Sequence, residues 1–228
     1  MRLNGDLSVR TRVHGGKLEW VPSPAKGVDR RMLFRIGDEK ARATSIVRYA
    51  PGSSFARHGH PGGEEFLVLE GIFQDETGDF PVGTYVRNPP GTAHAPASAP
   101  GCTILVKLWQ FAEDDNGAQV VRRPGEGEAA APRPGAISSA ILHDDGRELV
   151  LVELWDAEGL IAIDVEQGLE LLVLEGDLRE GGEPLDRWSW LRIPAGQRFE
   201  AKVGSAGARV WLKFGPLLHD NVCTFDNL

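Results

Sequence analysis

Three histidines and a glutamate carry the residue types for metal chemistry. His58, His60 and Glu64 fall within one short stretch, GSSFARHGHPGGEEFLVLEG (52–71), and His94 closes a second, GTYVRNPPGTAH (83–94). Two residues apart on an extended strand, His58 and His60 point to the same face. The Pro61-Gly62-Gly63 turn then folds the chain back and presents Glu64 beside the two rings, while the Pro-Gly turn at 90–91 delivers His94. Three neutral imidazoles and one carboxylate suit a borderline divalent ion: zinc, iron, manganese, nickel or cobalt. An HxH pair alone is a weak signal, since such pairs occur on exposed strands without a metal. The spaced glutamate strengthens it, and the PxGxxH segment makes the set specific. Burying these four groups with no ion would leave several polar atoms unsatisfied, at a cost of about 1–3 kcal/mol each. The spacing therefore predicts one metal site, made by His58, His60, Glu64 and His94.

The elements that must position these residues are short strands. The chain has 228 residues, enough to bury one large all-β core or two small ones. Its 28 glycines and 15 prolines are spread along the length, as tight turns between many strands require. SIVRYA, EEFLVLEG, GTYVRNP and TILVKLWQF read as strands, several too continuously apolar for a sheet wetted on one side. They suit the walls of a small barrel or sandwich. The chain also repeats itself: FLVLEG at 66–71 returns as LLVLEG at 171–176, an offset of 105. The same offset lays PPG (89–91) on PAG (194–196), ILVKLWQF (104–111) on RVWLKFGP (209–216), and RATSIVRYAPG (42–52) on RELVLVELWDAEG (147–159). Between the copies, VVRRPGEGEAAAPRPGA (120–136) has the composition of a linker. The expected division is 1–122 as the metal-binding domain, 123–136 as linker and 137–228 as the second domain.

With the motifs in view, a family resemblance follows. Gly52 to Gly71 and Gly83 to His94 keep every spacing of the two cupin motifs, G(x)5HxH(x)3E(x)6G and G(x)5PxG(x)2H. Where the second motif often closes with Asn, this chain has Ser98, at a position the resemblance makes structural. HGHPGGEEFLVLEG, FQDETGDFPVGTYVRNPPGTAH, PGCTILVK and the upstream LEWVPSPAKGV (18–28) resemble the ChrR-type cupin, the C-terminal module of certain zinc-dependent anti-sigma factors, over roughly residues 15–112. The resemblance implies a jelly-roll barrel with one divalent metal, zinc before iron, manganese or nickel, held by His58, His60, Glu64 and His94, and the repeat then makes the chain two tandem barrels, a bicupin. Those anti-sigma factors grip the sigma factor through an N-terminal helical module with its own His and Cys ligands. Here about forty residues precede the barrel strands, with no cysteine and only His14, so sigma-factor binding is not carried over.

Applied to the four ligands, the offset lands on Ile163, Val165, Leu169 and Phe199, all apolar. The second copy is therefore expected to keep the fold, lose the metal and fill its interior with hydrocarbon. His14, His143 and His219 lie in polar or glycine-flanked contexts and are expected at the surface. Two functional readings stay open. One is a regulatory, sensory or small-molecule-binding protein; the other is a metal-dependent dioxygenase of a small diketone or related organic acid. Tyr85, Arg87 and Arg48 are candidates to flank the site, and Trp109 is read as packing. A formal charge of −8 argues against a nucleic-acid partner, Arg122-Arg123 being too short a basic run. The two cysteines, Cys102 and Cys223, support neither a disulfide framework nor a Cys-rich zinc site. No signal-peptide core or membrane-spanning run is present, so a cytoplasmic location is expected, with a homodimer through exposed sheet edges left open.

Overall fold

A computed structural model describes residues 1–38 and 40–225. Almost all of the regular structure is antiparallel strand, with one 3-10 turn at Gly15–Lys17 among the described residues. The chain divides into two compact units. The first comprises Met1–Gly5, Glu19–Glu126 and the segment from Leu218 onward; the second comprises Asp6–Leu18 and Gly127–Leu217.

In the first unit the main sheet runs in the order 2–3, 28–37, 41–49, 102–108, 64–75, 85–88 and 120–122. The second repeats this order with 128–130, 136–144, 149–155, 197–214, 168–180, 189–194 and 11–14. Each unit folds a further ladder over the sheet. In the first, His58–His60 pairs with Thr92–His94; in the second, Leu160–Val165 pairs with the long strand Gln197–Phe214. Both are all-β jelly rolls, as the repeat predicts.

The units depart from the sequence boundaries in a regular way. The last position of each main sheet exposes a row of backbone donors and acceptors that another strand can cover. Val120–Arg122 covers Tyr85–Asn88 in the first unit, and Thr11–His14 covers Ser189–Pro194 in the second. Residues 6–18 thus belong with the second unit, not with 1–122. The assigned linker is a linker only in part, because Glu128–Ala130 is a strand paired with Ala136–Asp144. At the other terminus the chain rejoins the first unit: the Arg42 guanidinium donates to the Cys223 carbonyl at 2.9 Å, and the rings of Trp109 and Phe225 stand 5.1 Å apart. Neither short polar segments nor isolated aromatics announce such pairings in sequence.

The offset of 105 holds through the ligand ladder, where His58↔His94 corresponds to Ile163↔Phe199, and through Glu64, which corresponds to Leu169. It becomes 106 in the closing strand, where Leu108 and Phe214 face Glu64 and Leu169. Lys107 therefore corresponds to Lys213, one position from the alignment by sequence.

The interiors differ in content. The second is filled by a continuous apolar cluster that includes Trp155, Leu171, Leu191, Ile193, Val210 and Leu212. The first has a smaller one, with Phe66, Val68, Phe73, Phe80, Val86 and Ile104 at its centre. The remainder of the first interior is polar and partly open.

Candidate metal centre

The first barrel brings the three histidines together through local geometry and register. His58 and His60 share a face by alternation, and antiparallel pairing sets His94 opposite His58 and Thr92 opposite His60. The turn leading to Glu64 needs glycine twice. A Cβ at Gly62 would lie 2.2 Å from the Trp109 ring, and one at Gly63, where φ is +73°, would lie 2.3 Å from Phe111. The backbone closes this turn with Gly63 N–H donating to the His60 carbonyl at 3.2 Å, and Gly91 N–H from the other segment reaches the same carbonyl at 3.1 Å.

Ring centroids stand 4.6 Å apart for His60 and His94, 5.2 Å for His58 and His60, and 5.3 Å for His58 and His94. One nitrogen from each ring falls within 4.8 Å of the others. Glu64 Oε1 lies 3.6 Å from His60 Nε2 and 3.5 Å from His94 Nε2. His60, Glu64 and His94 are buried, and His58 is exposed.

Each ring presents Nδ1 to an acceptor. His58 Nδ1 faces the Ala56 carbonyl at 3.2 Å, and His94 Nδ1 faces Asp75 Oδ2 at 3.5 Å. His60 Nδ1 meets Thr92 Oγ1 at 3.2 Å, and because that hydroxyl donates to the Pro89 carbonyl at 2.8 Å, it offers His60 a lone pair. The acceptors beside His58 and His60 place the proton on Nδ1 in those two rings, and the Asp75 carboxylate favours the same tautomer in His94, although His94 Nδ1 makes no hydrogen bond; each Nε2 is then left with a lone pair for a ligand. His60 Nε2 is buried without a hydrogen-bond partner. Converging lone pairs repel, and a cation between them removes that cost. The donor set fits a divalent metal.

Burial also governs the titration of the metal-free site. His60 is pushed down to about 3 by desolvation, helped by the neighbouring His94 and His58 rings. Desolvation pushes Glu64 up to about 7, against a hydrogen bond from Asn88 and with the charge of Asp75 adding to the rise. The Asn88 Nδ2 group donates to Glu64 Oε1 at 3.2 Å, and its own Oδ1 accepts from Gln119 Nε2 at 2.6 Å, which sets the amide orientation.

A cavity of about 420 Å³ opens beside His58, His60 and Glu64. Val28, Val47, Tyr49, Phe55, Val106 and Leu108 give it apolar walls, and Arg30 and Arg35 add charge. Trp109, expected only to pack, lines it too.

The other flanking candidates lie elsewhere. From Glu64 to Val68, before a bulge reverses the alternation, the even positions face the barrel interior, so Asn88, paired with Glu64, faces inward, whereas Tyr85 and Arg87 are buried on the opposite face of the sheet. Arg87 pairs with Asp115 at 2.7 Å and lies over the Phe111 ring. Arg48 sits between Asp29, at 2.7 Å, and the Trp20 ring, while its neighbours Val47 and Tyr49 line the cavity. Register thus turns Tyr85, Arg87 and Arg48 to the face opposite the site. Sequence reasoning misses Asp75, Asn88 and Thr92, whose approach depends on strand pairing; their only linear signal is proximity to the motifs. Ser98 is structural, as expected: its hydroxyl donates to the Ile72 carbonyl at 2.6 Å. His14, His143 and His219 are partly buried rather than fully exposed, and all three lie outside the cluster. Both cysteines are free.

Residues 8–112 match the family model described as the ChrR cupin-like domain. The fold is that of the cupins. Among solved structures, this chain resembles the bacterial pirin YhhW of Escherichia coli in complex with nickel(II), at 15% identity and a TM-score of 0.63, over 92% of this chain and 100% of that one. It also resembles the E. coli protein YlbA, at 14% identity and a TM-score of 0.67, over 91% of each chain. A variant of Bacillus subtilis oxalate decarboxylase aligns at 12% identity with a TM-score of 0.62, over 90% of this chain and 77% of that one. Likenesses at such identities carry the fold alone. No curated protein matches the sequence. No helix among the described residues is long and apolar enough to cross a membrane.

Proposed function

We propose that this cupin binds one divalent transition metal through Nε2 of His58, His60 and His94 with a carboxylate oxygen of Glu64, and presents it to a small molecule in the adjoining cavity. The observation that carries the reading is the convergence of three imidazoles, two with Nδ1 against an acceptor and the third beside the Asp75 carboxylate, with the His60 Nε2 buried and unpartnered. A bound ion would supply Lewis acidity to an oxygen atom of the ligand. The chain's own residues do the rest. Ala56, Thr92 and Asp75 hold the rings, Asn88 orients Glu64, and Val28, Val47, Val106 and Leu108 offer apolar surface to the ligand. Zinc is the first candidate, with iron, manganese or nickel next.

The cavity favours a ligand-binding role over a purely structural metal, because a closed structural site has no need of room beside it. The same observation supports a second reading, a metal-dependent dioxygenase of a small diketone or organic acid. In that case the Glu64 carboxylate, oriented by Asn88 beside the ion, is placed to accept or return a proton. Regulation through a sigma factor is left out of the proposal, since no second cluster of three or more His, Cys, Asp or Glu ligands occurs among the described residues.

Element analysis of protein purified without added metal tests the site. Close to one equivalent per chain is expected, and none or two would overturn it. Zinc with no turnover identifies a binding or sensory protein. Iron accompanied by oxygen uptake on a panel of diketones and organic acids identifies the dioxygenase.

A further inference from the structure

Arg30 and Arg35 come from the strand Val28–Gly37 and line the cavity together with Val28. Five residues apart on a regular strand, they would point to opposite faces. A bulge between Met32 and Phe34 inserts one residue and restores them to the same side. Across the sheet they pair with Val47 and Ala43, both of which also line the cavity.

Among the described residues neither arginine forms an ion pair with a carboxylate, the charge of Asp38 acting on Arg35 only as a minor influence beside desolvation and the charge of Arg30. Arg35 is 9% exposed, and its one hydrogen bond goes to the backbone carbonyl of Asp38. Arg30 makes no hydrogen bond or ion pair among the described residues, and its Nε is buried without a partner. The two cations are close enough that Arg30, after desolvation, contributes to holding Arg35 below its ordinary value. Among the residues lining the cavity the only acid is Glu64, which belongs to the metal centre. Two guanidinium groups on one wall of a cavity that also has Val28, Val47, Val106 and Leu108 around it call for an anion.

We infer that the ligand is a small organic acid, its carboxylate held by Arg30 and Arg35 and its hydrocarbon body packed against Val28, Val47, Val106 and Leu108. A guanidinium matches a carboxylate in planar, two-pronged geometry, and the apolar wall rewards a ligand that is more than a bare anion. The volume, near the lower end of the range for small-molecule sites, restricts the acid to a few carbons beyond its carboxylate. The inference rests on the metal-site proposal only in that the other end of the acid then faces the ion.

Calorimetric titration of the metal-loaded full chain tests it, using butyrate, succinate and levulinate. Acetonylacetone, the uncharged analogue of levulinate with a methyl in place of the carboxylate oxygen, is the control, alongside inorganic phosphate. At least one of the acids should bind about tenfold or more tightly than both controls, the ratio that a single charge-assisted contact supplies. Arg30→Met should remove that preference while keeping one equivalent of metal, and Arg30→Lys, which keeps charge without the planar fork, should lose part of it. Arg30 anchors no other described residue, so these variants are expected to fold; a circular dichroism spectrum matching the parent checks this. Equal binding of levulinate and acetonylacetone, stronger binding of phosphate, or an unchanged preference in Arg30→Met would overturn the inference. If the acids bind but no metal does, the metal proposal fails and this one stands.

Discussion

In the first unit His58 faces His94 across an antiparallel ladder; at the same register of the second, Ile163 faces Phe199. Glu64 and its partner Asn88 likewise correspond to Leu169 and Ile193. Phe199, Leu169 and Ile193 are fully buried in an apolar cluster that needs no polar partner. The comparison shows how one backbone plan serves two purposes. Hydrocarbon completes one interior by packing, whereas the other holds polar groups whose lone pairs are arranged for a cation. The acid beyond the ladder shows the same contrast. Asp75 faces His94 Nδ1, while Glu180, its counterpart, is paired with Arg12 of the strand that closes its own sheet and with Arg10 just before it. A buried carboxylate requires a compensating group in either setting, and each unit supplies a different one.

The largest effect that would break this comparison is complete loss of metal from one unit. His60→Ala combined with His94→Ala should reduce the bound metal from one equivalent to none by element analysis; any residual stoichiometric metal would place a site outside the first barrel. Next is stability. Phe199→Ala should cost about 3–5 kcal/mol in denaturant unfolding, as removal of a fully buried aromatic does. His94→Ala in metal-free protein should cost clearly less, because the lost ring also carried a desolvation penalty. Equal costs would mean that both interiors are held by packing alone.

A smaller effect is expected at Asp75. Asp75→Ala frees His94 Nδ1 from its acceptor and should weaken metal binding by about 10–100-fold in competition with a chelator, leaving the stoichiometry at one. The smallest effect is a pH dependence confined to the metal-free first unit. Glu64 is raised from 4.5 to about 7, so the folded state retains a proton that the unfolded chain releases within that interval. Stability from this group is therefore fully present below about 4.5 and lost as the pH rises through 7. His60, lowered from 6.5 to about 3, acts in the opposite sense, its contribution being lost as the pH falls through that range. Subtracting the thermal stability of Glu64→Gln from that of the parent isolates the glutamate. The difference should fall as the pH rises from about 4.5 to 7, and Leu169→Gln in the second unit should show no such slope.

Much of the centre was legible because its ligands lie in two short segments whose spacing determines their faces. His58 and His60 share a side by strand alternation, and the Pro-Gly turns direct Glu64 and His94 toward them. The repeat was legible for a similar reason, since its turns and apolar runs recur at nearly constant distance. The flanking residues were not. Tyr85, Arg87 and Arg48 have suitable chemistry, but which face each takes depends on register with a neighbouring strand, where a shift of one residue exchanges inside for outside. Arg30 and Arg35 were hidden twice over, by that rule and by the bulge that overrides it.

The sequence by itself determined the all-β class, the duplication, the set of four convergent polar residues and its replacement by hydrocarbon in the second copy. These follow from local periodicity, turn chemistry and residue type. Only the tertiary structure decided that Asp6–Leu18 completes the second sheet, that Asp75, Asn88 and Thr92 orient the centre, and that two arginines open onto a cavity beside it. Each of those depends on which strand edges meet and in what register, a matter settled by backbone pairing across long separations in the chain.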